Sequence, residues 1–125
     1  QLGVPDMKLP IQYALFYPDR RPMQGKRLDF AALGQMTFEK PDLETFTGLK
    51  LAFKAAKAGG SMPTVYNAAN EMAVGFFLER KIGFMQIPEL IAACMERHKV
   101  IEGPKVEDIL WTEQETYEYI RGQVQ

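Results

Sequence analysis

Ser61-Met-Pro-Thr-Val-Tyr-Asn-Ala-Ala-Asn-Glu-Met-Ala-Val-Gly-Phe-Phe-Leu-Glu-Arg-Lys-Ile-Gly83 decides the fold of this 125-residue chain. Asn67, Asn70 and Glu71 are set among Val65, Ala68, Ala69, Met72, Ala73, Val74, Phe76, Phe77 and Leu78. A surface helix gathers its polar residues on one broad face. Here Val74 and Leu78 fall on the same side of the helical wheel as the two amides and the carboxylate. The wheel is apolar almost all round, which predicts a helix at the centre of its domain. A buried polar group without a partner costs about 1–3 kcal/mol. The three polar residues are therefore expected to form a structural hydrogen-bond cluster or to hold another segment or ligand.

Helical periodicity extends to both sides of this stretch. Leu49, Ala52, Phe53 and Ala56 recur at i, i+3, i+4 and i+7 from Thr47 onward, and Gly59-Gly60 reads as the stop. Ser61 reads as the cap of the central helix, Pro63 fits its first turn and Gly83 its end. A further helix is expected over about Ile87–His98, with Leu90, Ile91, Cys94 and Met95 on its apolar side and Arg97, His98 and Lys99 at its C-terminal end. Val106–Trp111 predicts a turn or two. Thr112 and Glu115 have capping-box spacing and predict a last helix with Tyr117, Ile120 and Val124 on one side.

The first third reads differently. Residues 1–8 predict an extended arm with a Val-Pro-Asp turn, followed by a short helix over Pro10–Tyr17 carrying Ala14 and Leu15 on its apolar side and stopped by Pro18. Asp29 is placed to cap a single turn, Phe30–Leu33, that Gly34 ends. Gln35–Glu39 alternates polar and apolar residues and predicts a strand. A lone strand leaves its ladder groups unpaired, so its sheet is expected from other polypeptide. The opening Gln1-Leu2-Gly3-Val4-Pro5-Asp6-Met7 likewise reads as the interior of a longer frame. The predicted fold is mainly α. Residues 1–46 form an arm and linker with one short helix and one strand, and 47–125 a four-helix, bundle-like domain.

Composition narrows the chemistry. A net charge of −1 gives no basic footprint for nucleic acid, and no apolar run approaches the about 20 residues needed to cross a bilayer. The single cysteine, Cys94, excludes an internal disulfide and reads as a small core residue. One Cys and one His exclude a zinc constellation. Asp42, Glu44, Glu107 and Asp108 lie in loops or first turns and read as solvated or capping groups. Gly59-Gly60 lacks the spacing of a phosphate loop. His98 reads as a helix-end charge, and Trp111 as a core plug beside a cap. Pro5 fixes its own φ and has no N–H. Met7 is flexible and polarizable, able to lie against a flat ring, although from the residues alone an ordinary turn residue and a core methionine is the favoured reading of the pair.

Five groups of residues occur in order: Gly3-Val4-Pro5-Asp6-Met7-Lys8-Leu9-Pro10-Ile11, Lys26-Arg27-Leu28-Asp29-Phe30, Thr37-Phe38-Glu39-Lys40-Pro41-Asp42, Lys57-Ala58-Gly59-Gly60-Ser61-Met62-Pro63 and Asn67-Ala68-Ala69-Asn70-Glu71. Each is weak alone. In register they resemble the C-terminal part of the 1-deoxy-D-xylulose 5-phosphate reductoisomerase family, over nearly the whole chain. Gln86 stands where relatives are expected to have an Asp cap.

The resemblance implies a segment of an NADPH-dependent homodimeric enzyme that uses Mg²⁺ or Mn²⁺. That enzyme makes 2-C-methyl-D-erythritol 4-phosphate in the non-mevalonate route to isoprenoids, in the bacterial cytoplasm or the plastid stroma. It also implies that the NADPH-binding and catalytic domains lie upstream, that no catalytic or metal residue falls in this segment, and that Pro5 and Met7 border the nicotinamide. The competing expectation is a free-standing helical module that binds a protein partner.

Overall fold

A computed structural model describes residues 3–124. Among these the regular structure is entirely helical: α1 (Lys8–Phe16), α2 (Phe30–Leu33), α3 (Thr47–Ala58), α4 (Met62–Leu78), α5 (Gln86–Arg97) and α6 (Val106–Gln123). Two compact units divide the chain, Gln1–Lys40 and Pro41–Gln125.

The second unit is the four-helix cluster the periodicity predicts. Its middle is α4, which packs against α3, α5 and α6. Met62, Val65, Ala68, Ala69 and Ala73 form its buried stripe, and the three alanines let neighbouring helices approach closely. Ala55 of α3, Ile91, Cys94 and Met95 of α5, and Ile120 of α6 complete the core. Burying Val65, Ile91 and Ile120 contributes about 1.5–3 kcal/mol each.

The turns explain where each helix stops. Gly59 ends α3 with φ 68° and donates its N–H to the Ala55 carbonyl. Gly83 does not end α4. The helix stops at Leu78 because Arg80 turns left-handed at φ 61°. Arg80 and Lys81 then donate to the Phe77 and Phe76 carbonyls at 2.9 Å each, the paired bonds of a Schellman stop.

α5 begins at Gln86, whose Oε1 accepts the Gly83 N–H at 2.7 Å. The amide thus performs the reach-back bond for which an acidic cap was expected. Val106–Trp111 and the predicted last helix are one element. It is opened by Asp108, whose carboxylate accepts the Lys105 N–H at 2.9 Å. Thr112 is therefore no cap. It is buried in mid-helix, where its carbonyl accepts the Thr116 hydroxyl at 2.8 Å.

The first unit buries none of its described residues. α1 starts two residues before the expected Pro10 and ends one before Tyr17. Its expected apolar side is open, with Leu15 76% exposed. α2 follows the sequence reading: Asp29 accepts from the N–H groups of Ala31 and Ala32, and Gly34 closes the turn at φ 68°. Gln35–Glu39 carries no strand. Alternation alone does not make one; a strand needs a ladder partner, and the described residues supply none.

Candidate functional site

The Pro5–Met7 turn is built by local hydrogen bonds. Asp6 Oδ1 accepts the Lys8 N–H at 2.9 Å, and the Met7 carbonyl accepts the Ile11 N–H at 3.1 Å. The carboxylate satisfies one of the first free donors of α1 and holds Pro5 and Met7 just ahead of the helix. Both then line one concavity of about 550 Å³ together with Val4, Leu9 and Pro10. Met7 is 69% exposed, so its thioether is available to a ligand rather than spent in a core. Pro5 also borders a second hollow, of about 470 Å³, whose lining includes Arg21, Lys26 and Arg27. The first hollow offers an apolar surface with a polarizable sulfur, suited to the face of a flat ring.

The Asn67, Asn70 and Glu71 cluster is placed otherwise than the wheel predicts. Asn67 and Glu71 are exposed and Asn70 is half-buried. Small residues fill the contact face of α4, and the polar side, with Leu78 at 73% exposure, turns outward. Among the described residues, only Glu71 of the three gains a side-chain partner: Tyr117 Oη donates to it at 3.0 Å. A second bond from the same hydroxyl reaches Glu113 at 3.3 Å. Lost hydration, together with these two carboxylates, pushes the Tyr117 phenol up to about 12.

A feature missed from sequence joins Ser61 to His98. The Ser61 hydroxyl lies 2.6 Å from His98 Nε2 and accepts the Ile101 N–H at 2.9 Å. Ser61 holds the N-cap position of α4 as expected, but its side chain makes no cap bond; its hydroxyl oxygen is used across the bundle instead. His98 is not the helix-end charge expected of it either. Burial pulls its imidazole below the ordinary value, against a smaller upward pull from Glu115. Serine, histidine and a nearby carboxylate are the parts of a nucleophilic triad. Ser61, however, is wholly buried, and a nucleophile that no substrate can reach is a structural staple.

Beside it is a hollow of about 400 Å³ bordered by Arg97, Lys99, Trp111 and Tyr119. Trp111 is 55% exposed there rather than plugging a core. Cys94 is buried, and burial pushes its thiol up to about 11, so it stays unreactive. Asp42 holds the turn before α3: its carboxylate accepts the N–H groups of Glu44 and Thr45 at 3.1 and 2.9 Å. Bonds from Thr45 keep the group below the usual carboxylate range. No helix of the described residues is long and apolar enough to cross a membrane.

The profile of the DXP reductoisomerase C-terminal domain matches residues 2–119. The chain is 58% identical over 120 residues to the 1-deoxy-D-xylulose 5-phosphate reductoisomerase of Agathobacter rectalis, covering 96% of this chain and 32% of that protein. To that of Caldanaerobacter subterraneus subsp. tengcongensis it is 54% identical over 121 residues, again 96% and 32%. Among solved structures, the Zymomonas mobilis reductoisomerase in complex with NADPH superposes with a TM-score of 0.83 at 38% identity, over 98% of this chain and 32% of that one. A DOX-P reductoisomerase in complex with NADPH, fosmidomycin and magnesium gives 0.82 at 37% identity, over the same shares. The chain thus spans about a third of the length of the curated relatives it matches.

Proposed function

The chain belongs to the family of DXP reductoisomerase C-terminal domains, and we propose that it is the C-terminal portion of an enzyme that isomerises and reduces 1-deoxy-D-xylulose 5-phosphate. The product is 2-C-methyl-D-erythritol 4-phosphate, and NADPH, when bound, supplies the hydride. In this reading residues 1–46 belong partly to the upstream catalytic domain, and 47–125 form a helical domain that borders the active site without reacting groups of its own. The NADPH-binding domain, the catalytic domain and the ligands of a Mg²⁺ or Mn²⁺ ion come from polypeptide outside this segment. The whole enzyme is a homodimer of the bacterial cytoplasm or the plastid stroma.

The observation that carries this reading is the match over residues 2–119. The Pro5–Met7 hollow fits the cofactor's nicotinamide. Pro5 presents a ring of fixed φ and no competing donor, and the Met7 thioether presents a soft surface to a ring face. Together they orient the nicotinamide and exclude water from one side of it. The coreless first unit also supports the reading, since a segment that buries nothing depends on other polypeptide for cover.

In the full-length enzyme, Met7→Ala is expected to forfeit about 0.3–1.5 kcal/mol of ring contact, up to roughly tenfold in kcat/KM. Because Met7 is mostly exposed, the unfolding midpoint should hardly move. Steady-state kinetics with NADPH varied, beside a denaturation curve, test this. An unchanged kcat/KM removes Met7 from the cofactor site.

A further inference from the structure

Met7 stands at the N-cap of α1, and its side chain makes no cap bond; a thioether is a weak acceptor. The acceptor comes from one residue earlier. Asp6 Oδ1 takes the Lys8 N–H at 2.9 Å, an Asx turn whose ring closes around the Met7 backbone. Within that ring Met7 is held at φ −69° and ψ −16°. Its own carbonyl takes the Ile11 N–H at 3.1 Å. These two bonds bracket Met7 and fix the direction in which its side chain leaves the chain.

No packing shares that task. The first unit buries none of its described residues, and Met7 is 69% exposed. The Lys8 ammonium stands 4.0 Å from Asp6 Oδ2, with the two side chains 78 and 44% exposed, and a pair so open to water contributes little. What Asp6 brings is therefore its accepting oxygen more than its charge. Asp6 also lines the hollow that Pro5 and Met7 share.

A thioether laid on a ring acts through distance and tilt. A gap of about 0.5–1 Å already forfeits a quarter to a half of a dispersion contact, and a reacting group misplaced by about 1 Å costs up to about a hundredfold in rate. A side chain without packing neighbours passes any change in its backbone directly to whatever lies against it.

We propose that Asp6 is a positioning residue for hydride transfer: its bond to the Lys8 N–H aims the Met7 thioether and, through it, sets the tilt of the nicotinamide. This rests on the reading of Pro5 and Met7 as nicotinamide contacts and adds the group that aims them.

The test uses the full-length enzyme with Asp6→Ala, which removes the acceptor, and Asp6→Asn, whose amide oxygen keeps it without the charge. Methionine labelled with ¹³C at its methyl group reports on Met7, whose resonance is the one missing from Met7→Ala. Saturating NADP⁺, which carries an aromatic nicotinamide, should displace that resonance by its ring current. The displacement is expected to survive in Asp6→Asn and to fall by about half or more in Asp6→Ala. In turnover, Asp6→Ala is expected to lose about three- to tenfold in kcat. The KM for NADPH should hardly move, because the phosphates supply most of the affinity. Asp6→Asn should recover most of the loss. With NADPH deuterated at both nicotinamide C4 positions, the isotope effect on kcat should rise in Asp6→Ala. That effect is a ratio within one preparation, so a smaller folded fraction leaves it unmoved. Should Asp6→Ala fail to fold, Asp6→Glu, with its oxygen one methylene further out, repeats the measurements.

Unchanged kcat and methyl displacement in Asp6→Ala, an Asp6→Asn enzyme as impaired as Asp6→Ala, or a lower kcat with an unaltered isotope effect overturns the proposal. In the Met7→Ala background the Asp6→Ala loss should largely vanish, and losses that multiply overturn it as well. Met7→Ala alone separates the two claims. If it slows turnover while Asp6→Ala does not, the aiming role fails by itself; if it leaves kcat/KM unchanged, the cofactor contact fails and the aiming role with it.

Discussion

The Ser61–His98 bond shows what single residues contribute and why they were hard to read. Both residue types were visible, and His98 was placed correctly at the end of α5. Their pairing was not, because 37 positions separate them and only the packing of α4 on α5 brings them together. Since Ser61 Oγ already accepts the Ile101 N–H, its own proton is free to go to His98 Nε2, an arrangement that requires the neutral imidazole.

That arrangement has a pH signature. A histidine held below its ordinary 6.5 binds fewer protons folded than unfolded. Its contribution is complete above the unfolded value and is lost as pH falls through the folded one. The charged groups bordering the same hollow are Arg97, Lys99 and Glu115; Glu115 favours protonation, against the larger opposing effect of burial. The denaturant midpoint should therefore drop between about pH 7.5 and pH 5.5, and His98→Gln should flatten that slope. Parallel pH profiles for the two proteins would show that His98 titrates as it does in the unfolded chain.

At the scale of elements, helices were legible wherever an apolar stripe recurred. The cores of α3, α4 and α5 follow from their spacing, and the Asp29–Gly34 turn from its two end residues. The errors lay where a local signal competes with a tertiary one. Thr112 and Glu115 have the spacing of a cap, but α6 runs through them because Thr112 and Thr116 face its buried side. Asn67 stands on the exposed side of α4 and Asn70 is half-buried, while Ala68, Ala69 and Ala73 take the contact face. An all-round apolar wheel does not reveal which face wins. Gln35–Glu39 had the pattern of a strand without a partner to make it one.

The junction of α3 and α4 yields a sharper expectation. Gly60 sits at φ 52°, and a Cβ there would lie 2.5 Å from the Ile101 carbonyl oxygen and 2.7 Å from Val100 Cγ1. Ser61 N–H donates to that same carbonyl at 3.1 Å, so the backbone cannot withdraw without breaking the bond. Gly60→Ala should destabilise by more than about 1 kcal/mol, whereas Gly48→Ala, in open space inside α3, should stabilise slightly. Thermal melts of the two variants test the contrast, and equal midpoints would show that the loop over Ile101 yields.

The whole chain divides by what each unit can do alone. Pro41–Gln125 has a core of its own, whereas Gln1–Lys40 buries none of its described residues. The proposed cofactor contacts, Pro5 and Met7, lie in the coreless unit. That distribution explains why the candidate site was the least legible feature. Its residues form one wall of a hollow, and the motif that singles them out has meaning only beside polypeptide outside this segment.

The energetics follow. A proline and a thioether offer a ring face about 0.3–1.5 kcal/mol of contact, while millimolar binding already requires about 4 kcal/mol. Affinity for a dinucleotide comes mainly from phosphates held at a helix N-terminus in a βαβ fold, and the described helices include no such unit. Residues 1–125 alone should therefore give no heat of NADPH binding at micromolar concentrations in isothermal titration, whereas the full-length enzyme should saturate. Micromolar affinity in the segment by itself would mean that the hollow at Pro5 and Met7, or the neighbouring one facing Arg21, Lys26 and Arg27, holds the whole cofactor rather than one side of its ring.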